Sequence, residues 1–155
     1  KCWRRWSCRH LRRPSARSSA RAPAAGLPAY RSRTLDLAQG KRLICASADL
    51  VEAGKGFRFK VNHNGREAEA FAVRFGGKVF GYINECGHIP VRLDWLPGEF
   101  FDDSKLYLIC SVHGALYAPE TGRCLGGRCQ GKGLAVLAVD EADGQVFLVK
   151  EHTHG

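Results

Sequence analysis

Methionine is absent from this chain, which begins at Lys1. The start of the sequence therefore does not identify the start of translation. No apolar run approaches the roughly 20 residues that a membrane-spanning helix needs, and we expect a soluble chain. No acid precedes Asp36, the first of the chain's 15 Asp and Glu. Also missing is any stretch longer than a turn or two with the 3.6-residue apolar period of an amphipathic helix. That absence excludes helical bundles and alternating α/β layers.

What is present divides unevenly. Residues 1–33, KCWRRWSCRHLRRPSARSSARAPAAGLPAYRSR, hold ten of the chain's 24 Lys and Arg. The remaining 14 cations face 15 anions, so residues 34–155 carry a formal charge of −1 within a total of +9. A nearly neutral body has no basic stripe with which to neutralise phosphates, which argues against nucleic-acid binding. The N-terminal stretch is rich in Arg, Ser, Ala and Pro and has too little apolar surface to offset its ordering entropy. It reads as a disordered basic tail or an extended start. The alternative is an organellar transit peptide, a class that is also Arg- and Ser-rich and poor in acids. No apolar segment follows its arginines as a secretory signal requires.

From residue 41 short apolar or alternating runs are separated by turn residues. We expect strands at 42–47, 57–61, 68–75, 78–84, 106–110, 135–140 and 145–150. Hairpins are expected at Asn64-Gly65, Gly76-Gly77 and Asp143-Gly144, because such pairs accept the left-handed backbone of tight turns. Residues 47–54 make a helical turn at most, capped by Ser47 or Asp49. The expected fold class is all-β, a domain of short antiparallel strands. Two irregular segments interrupt it, at 85–104 and 111–133, and residues 151–155 read as a frayed end.

Each irregular segment is reached through a cysteine and a histidine: Cys86-x-His88 in NECGHIP and Cys110-x-x-His113 in LICSVHGALYAPETG. Thiolate and neutral imidazole suit zinc and iron–sulfur centres and suit magnesium or calcium badly. A structural two-Cys, two-His zinc site is one reading. However, Cys86-x-His88 is tighter than usual zinc spacing, and each loop mixes the donor types. An iron–sulfur cluster with two histidines on one of its irons asks for that mixture.

The remaining cysteines and histidines read more plainly. Seven cysteines are an odd number, which with a metal site points to a reducing compartment and the cytoplasm. An organelle is the alternative if the tail is a transit peptide. Cys45 is expected in the core. Cys124 and Cys129 are expected as two small buried residues near the site, with a local disulfide or a further metal contact as the other readings. His63 reads as a solvated turn residue, and His152 and His154 as terminal residues without a functional ligand role. In the insertion LDWLPGEFFDDSK, Trp95, Phe100 and Phe101 are expected to shield the site, with a partner-docking patch as the other reading, while Asp94, Glu99, Asp102 and Asp103 are expected in solvent.

The two loops, with Gly114 after the second His and the trailing Thr121-Gly122 turn, resemble the Rieske family in its soluble ferredoxin or small single-domain branch. The resemblance covers residues 41–150. It implies a Rieske-type domain with two loops that bind a [2Fe-2S] cluster. Cys86 and Cys110 would ligate the inner iron, and His88 and His113 the outer one. Tyr117 stands where the family carries an aromatic over the cluster. Ser111, Val112 and Ala118 depart from the residues many members have there. The disulfide brace of the respiratory branch is missing, since its positions are Val91 and Val112. Its Ser two residues past the second His is Ala115 here. Both differences imply the low end of the range of about −150 to +300 mV for such centres.

A cluster of this kind carries one electron and performs no bond chemistry. The implied function is electron transfer between a reductase and a terminal oxidoreductase. Only about forty residues follow His113, so no separate catalytic domain is expected and the chain reads as no enzyme in itself. Two alternatives stand beside this: a small subunit or redox sensor of an oxidoreductase complex, and a zinc-stabilised interaction module.

Overall fold

A computed structural model describes residues 40–129 and 131–149. The expected tail over 1–33 and frayed end over 151–155 lie outside the described residues. The strands form where apolar and polar residues alternate: β1 (Lys41–Ala46), β2 (Phe57–His63), β3 (Arg66–Phe75) and β4 (Lys78–Ile83). The short strands β5 (Leu108–Ile109), β6 (Leu116–Tyr117) and β7 (Cys124–Gly126) follow. β8 (Val136–Leu137), β9 (Val139–Ala142) and β10 (Gln145–Val149) end the described chain. All three hairpin turns form. The backbone is left-handed at Asn64 and Gly65, at Gly76 and Gly77, and at Asp143 and Gly144, matching the twist of the strands they join.

The strands assemble into three antiparallel sheets, ordered β1-β10-β9, β2-β3-β4-β8 and β5-β6-β7. Among the described residues the fold is thus all-β apart from one 3₁₀ turn at Ser47–Asp49. Ser47 does not cap that turn; the Asp49 carboxylate accepts from the Ala46 amide at 3.2 Å. The strand expected at 135–140 is divided between sheets, β8 against β4 and β9 against β10. Gly81 permits this crossing, because a Cβ there would lie 2.6 Å from Val139 Cγ1. The expected strand at 106–110 is shorter than its apolar run. Leu106 and Tyr107 instead donate backbone N–H groups to the Asp102 carboxylate at 3.2 and 3.1 Å.

The largest core cluster lies between the four-stranded sheet and the small β5-β6-β7 sheet. It joins Phe71, Val73 and Tyr82 to Phe100, Phe101, Leu108 and Tyr117, and includes Cys86, Cys110 and Cys129. Phe71 stacks on Phe100 with ring centroids 3.8 Å apart, and the buried Tyr82 hydroxyl donates to the Pro119 carbonyl at 2.7 Å. Each such aromatic contributes about 1.5–3 kcal/mol through burial alone. The small sheet has too few ladder bonds to stand unaided, so this aromatic layer holds it in place.

A polar tie links two of the sheets on the outside. Arg74 of β3 donates to the Leu50 carbonyl at 2.9 Å, the Ser47 hydroxyl at 2.8 Å and the Glu141 carboxylate of β9 at 2.7 Å. Ser47 also donates to Glu141. Hydrogen bonds from Arg74 and then Ser47 hold the Glu141 carboxyl below the usual carboxylate range. A carboxyl whose folded pKa is depressed contributes stability above its unfolded value and loses it as pH falls through the folded one. Glu141→Gln should therefore cost about 0.5–1 kcal/mol at pH 7. The two proteins should converge in urea titrations once the pH falls well below about 4.

Candidate metal centre

The first loop leaves β4 at Ile83 and turns at once. Cys86 N–H donates to the Val91 carbonyl at 2.8 Å, and Val91 N–H to that of Ile89 at 2.8 Å. The second loop leaves β5 and closes through Cys110 N–H to Ala115 (2.9 Å) and Gly114 N–H to Cys110 (2.9 Å). Gly114 adopts a left-handed backbone, φ +66°, which a side chain would oppose. The loops are joined by Ser111 N–H donating to the Leu93 carbonyl at 2.9 Å. That bond connects the two loops without the cysteine brace that Val91 and Val112 cannot form.

The four predicted side chains come together by type. Cys86 and Cys110 are both buried and belong to the same core cluster. His88 and His113 meet edge to face with ring centroids 4.9 Å apart, His113 being exposed and His88 half-buried. His88 Nδ1 also stands 3.5 Å from Cys86 Sγ. Among the described residues no three Cys, His, Asp or Glu gather around a single point. The pairing of thiol with thiol and imidazole with imidazole suits two metal atoms side by side, and the donor chemistry fits a histidine-ligated [2Fe-2S] cluster.

Tyr117 reaches the site from β6. Gly87 N–H donates to its hydroxyl oxygen at 3.1 Å, and the hydroxyl lies 3.1 Å from Cys86 Sγ. Either group can donate while Cys86 is a thiol; once Cys86 is a thiolate it has no hydrogen to give, and the Tyr117 hydroxyl is then the donor. Burial opposes ionisation of Cys86, yet hydrogen bonds from Tyr117 first, and from the surrounding loop and Cys110, bring its pKa below the ordinary thiol value. Burial and then the Cys86 neighbour push Cys110 upward. Burial, followed by the bond to Cys86, raises Tyr117 as well.

Several expectations need correction. Cys124 and Cys129 are not free thiols: they form a disulfide with Cα atoms 6.0 Å apart. The Gly126-Gly127-Arg128 turn returns the chain on itself, so the pair meets across five positions. Trp95 does not shield the site, since it is 83% exposed, while Phe100 and Phe101 are buried. Asp94 is not solvated. Its fully buried carboxylate accepts from the Asn84 side chain (2.8 Å) and Gly98 N–H (3.0 Å), and faces Arg58 at 3.4 Å. Asp102 organises a turn, and Glu99 sits 3.8 Å from Lys55. His63 ends β2 opposite Arg66 and is half-buried. Cys45 is buried as expected, and burial pushes its thiol up to about 11.

Two features were missed in the sequence. Asn84, just before the first loop, accepts from Leu93 N–H at 2.9 Å and donates to Asp94, so it closes the base of that loop like a buckle. The other is a third loop, beyond β7, that packs on both cysteine loops. A Cβ on Gly87 would lie 2.4 Å from the Lys132 carbonyl oxygen, and one on Gly127 would lie 3.0 Å from that of Gly114. An amide residue before a Cys loop and a glycine-rich segment after a turn were the only signals, and neither is specific.

Breaking the disulfide by Cys124→Ser should cost about 2 kcal/mol through the restored freedom of the unfolded chain. A reductant should lower the wild-type urea midpoint and leave that of the variant unchanged.

Residues 40–150 match the family model described as the Rieske [2Fe-2S] domain. No curated protein sequence is significantly similar to the chain. Solved structures share its fold. The ferredoxin of carbazole 1,9a-dioxygenase from Nocardioides aromaticivorans IC177 is 20% identical with a TM-score of 0.56, covering 72% of this chain and 98% of its own. A complex of reduced oxygenase and oxidized ferredoxin in carbazole 1,9a-dioxygenase matches at 22% identity and TM-score 0.56, covering 73% and 95%. The terminal oxygenase of that enzyme from Novosphingobium sp. KA1 matches at 22% and 0.56, covering 76% of this chain and 32% of the oxygenase chain. With the buried thiol pair, the imidazole pair of half-buried His88 and exposed His113, and a family match over residues 40–150, the chain belongs to the Rieske [2Fe-2S] domain family.

Proposed function

We propose that this chain is a one-electron carrier of the ferredoxin kind, passing electrons from a reductase to a terminal oxidoreductase. Cys86 and Cys110 ligate the inner iron in this reading, and His88 and His113 the outer one. The observation that carries it is the division of donors, with thiols inside the aromatic core and imidazoles at the surface. The [2Fe-2S] cluster supplies reversible uptake of a single electron. The protein supplies its setting. Phe71, Phe100 and Phe101 keep water from the thiol side, and the exposed histidine edge gives a short route to a partner. The fold shared with a ferredoxin and with an oxygenase–ferredoxin complex supports a partner of the oxygenase type. The chain itself is assigned no substrate chemistry.

The Cys124–Cys129 disulfide beside the site favours a second reading, a redox-sensing component of an oxidoreductase complex. We place the protein in the cytoplasm, where thiol pools work against disulfides. Acid trapping and alkylation at lysis tests this, and a disulfide preserved through trapping would move the protein to an oxidising compartment.

The deciding experiment is low-temperature EPR of the full chain after dithionite reduction. A rhombic signal with average g below the free-electron value is expected. A silent sample that holds one zinc and no sulfide would overturn the carrier reading. In the loaded protein, Tyr117→Phe removes a hydrogen bond to Cys86 that favours the reduced, more negative state. The reduction potential should fall by an amount on the order of tens of millivolts, with the same ligand-field signature in EPR.

A further inference from the structure

The third loop brings charge to the place where electrons leave. Its backbone touches both cysteine loops, Lys132 against Gly87 and Gly127 against Gly114. Gly87 sits between Cys86 and His88, and Gly114 follows His113. Arg128 and Lys132 therefore lie on a loop whose backbone is held against both cysteine loops, and both residues are exposed. Between Thr121 and Val139 the chain holds three cations, Arg123, Arg128 and Lys132, and no acid. Among the described residues no ion pair engages any of the three.

The acids near the first loop behave differently. Glu85 pairs with Arg66 at 3.2 Å. Glu69 is shared by Arg58 at 3.2 Å and Arg92 at 3.1 Å, and Asp94 is buried facing Arg58. Glu120, just before the span from Thr121 to Val139, is also exposed and outside the ion pairs among the described residues, so the loop from Arg123 to Lys132 carries a surplus of positive charge, although residues 34–155 as a whole carry −1.

We propose that Arg128 and Lys132 form a basic rim around the electron-exchange edge, and that the redox partner docks with a carboxylate-rich protein face. The inference rests on the carrier reading and specifies the partner for that same site. Two or three cations are too few to hold a nucleic-acid backbone, where binding grows with the number of phosphates neutralised. They suffice to steer a protein partner, because complementary charge at an interface acts chiefly on the rate of encounter. Close apposition of backbone at Gly87 and Gly127 fixes the rim relative to the ligands, and the Cys124–Cys129 disulfide closes the turn that carries Arg128.

Small redox ions of opposite charge test this without an identified partner. The full chain, reduced, is mixed with hexacyanoferrate(III), which takes one electron and becomes hexacyanoferrate(II). Hexaamminecobalt(III) serves as the cationic oxidant. At an ionic strength of about 10 mM, where screening extends about 30 Å, Arg128→Gln/Lys132→Gln should slow the anionic oxidant about fivefold and speed the cationic one. Both differences should shrink at about 0.15 M, where screening falls to about 8 Å. Arg42→Gln/Lys78→Gln removes the same charge from exposed cations on β1 and at the start of β4, outside the cysteine loops, and should change neither rate by as much. Equal slowing by the two pairs would show an effect of net charge alone and overturn the proposal, as would rates that ignore Arg128 and Lys132.

A second readout does not depend on electron transfer. The redox-inert paramagnetic anion hexacyanochromate(III) should broaden amide signals at Gly127, Arg128 and Lys132 in the NMR spectrum, and the double variant should lose that broadening. No broadening there would also overturn the rim. A chain without an iron signal but with this broadening would sink the carrier reading and leave the anion-attracting rim standing.

Discussion

Burial of two thiols in an aromatic core is the constraint on which this structure turns. Cys86 and Cys110 sit among Phe71, Phe100, Leu108 and Tyr117, where an unpaired thiolate is costly. The sulfur of Cys86 is answered by the Tyr117 hydroxyl, whose oxygen is in turn satisfied by Gly87 N–H. Every other feature of the site serves that arrangement. The two loops close through their own backbone, Asn84 and Asp94 fasten the base of the first, and the third loop closes over both.

The same constraint separates inside from outside. Donors that must be charged are placed where hydrogen bonds are available, and donors that bind as neutral imidazole are placed at the surface. In the carrier proposed above, a centre divided in this way would exchange electrons from its histidine edge. In the proposed carrier the charges that bear on that exchange are those nearest the histidines, and Arg128 and Lys132 belong to a loop held against both cysteine loops, in a body whose total charge is nearly zero. Local position matters more than the sum, because screening in salt water confines each charge to its own neighbourhood.

The third loop also gives the disulfide its context. Cys129 belongs to the same core cluster as the two thiols of the site, and Cys124 pairs with Tyr117 across β6 and β7. A cross-link at this point restrains the turn that presents Arg128 and the strand that presents Tyr117. It joins nothing across the two cysteine loops, which are held instead by Ser111, Leu93 and Tyr117.

The sequence by itself determined the local features. Alternation marked β1 to β4 and β10, the paired turn residues marked all three hairpins, and Cys86, His88, Cys110 and His113 were legible from residue type and spacing. These depend on neighbours in the chain, so local chemistry suffices. The tertiary structure alone decided the rest. The two- and three-residue strands β6 and β7 carry no period long enough to read, and the division of 135–140 between two sheets depends on Gly81 lying under Val139. Asp94 looked like a solvated acid until Asn84, Gly98 and Arg58 surrounded it. Trp95 looked like a shield until Phe100 filled the core instead. Whether Cys124 meets Cys129, and whether the loop of Arg128 and Lys132 lies against the two cysteine loops, depends on how a loop returns across the fold. Contacts between distant segments are set by the packing of the whole core, which no short window of residues contains.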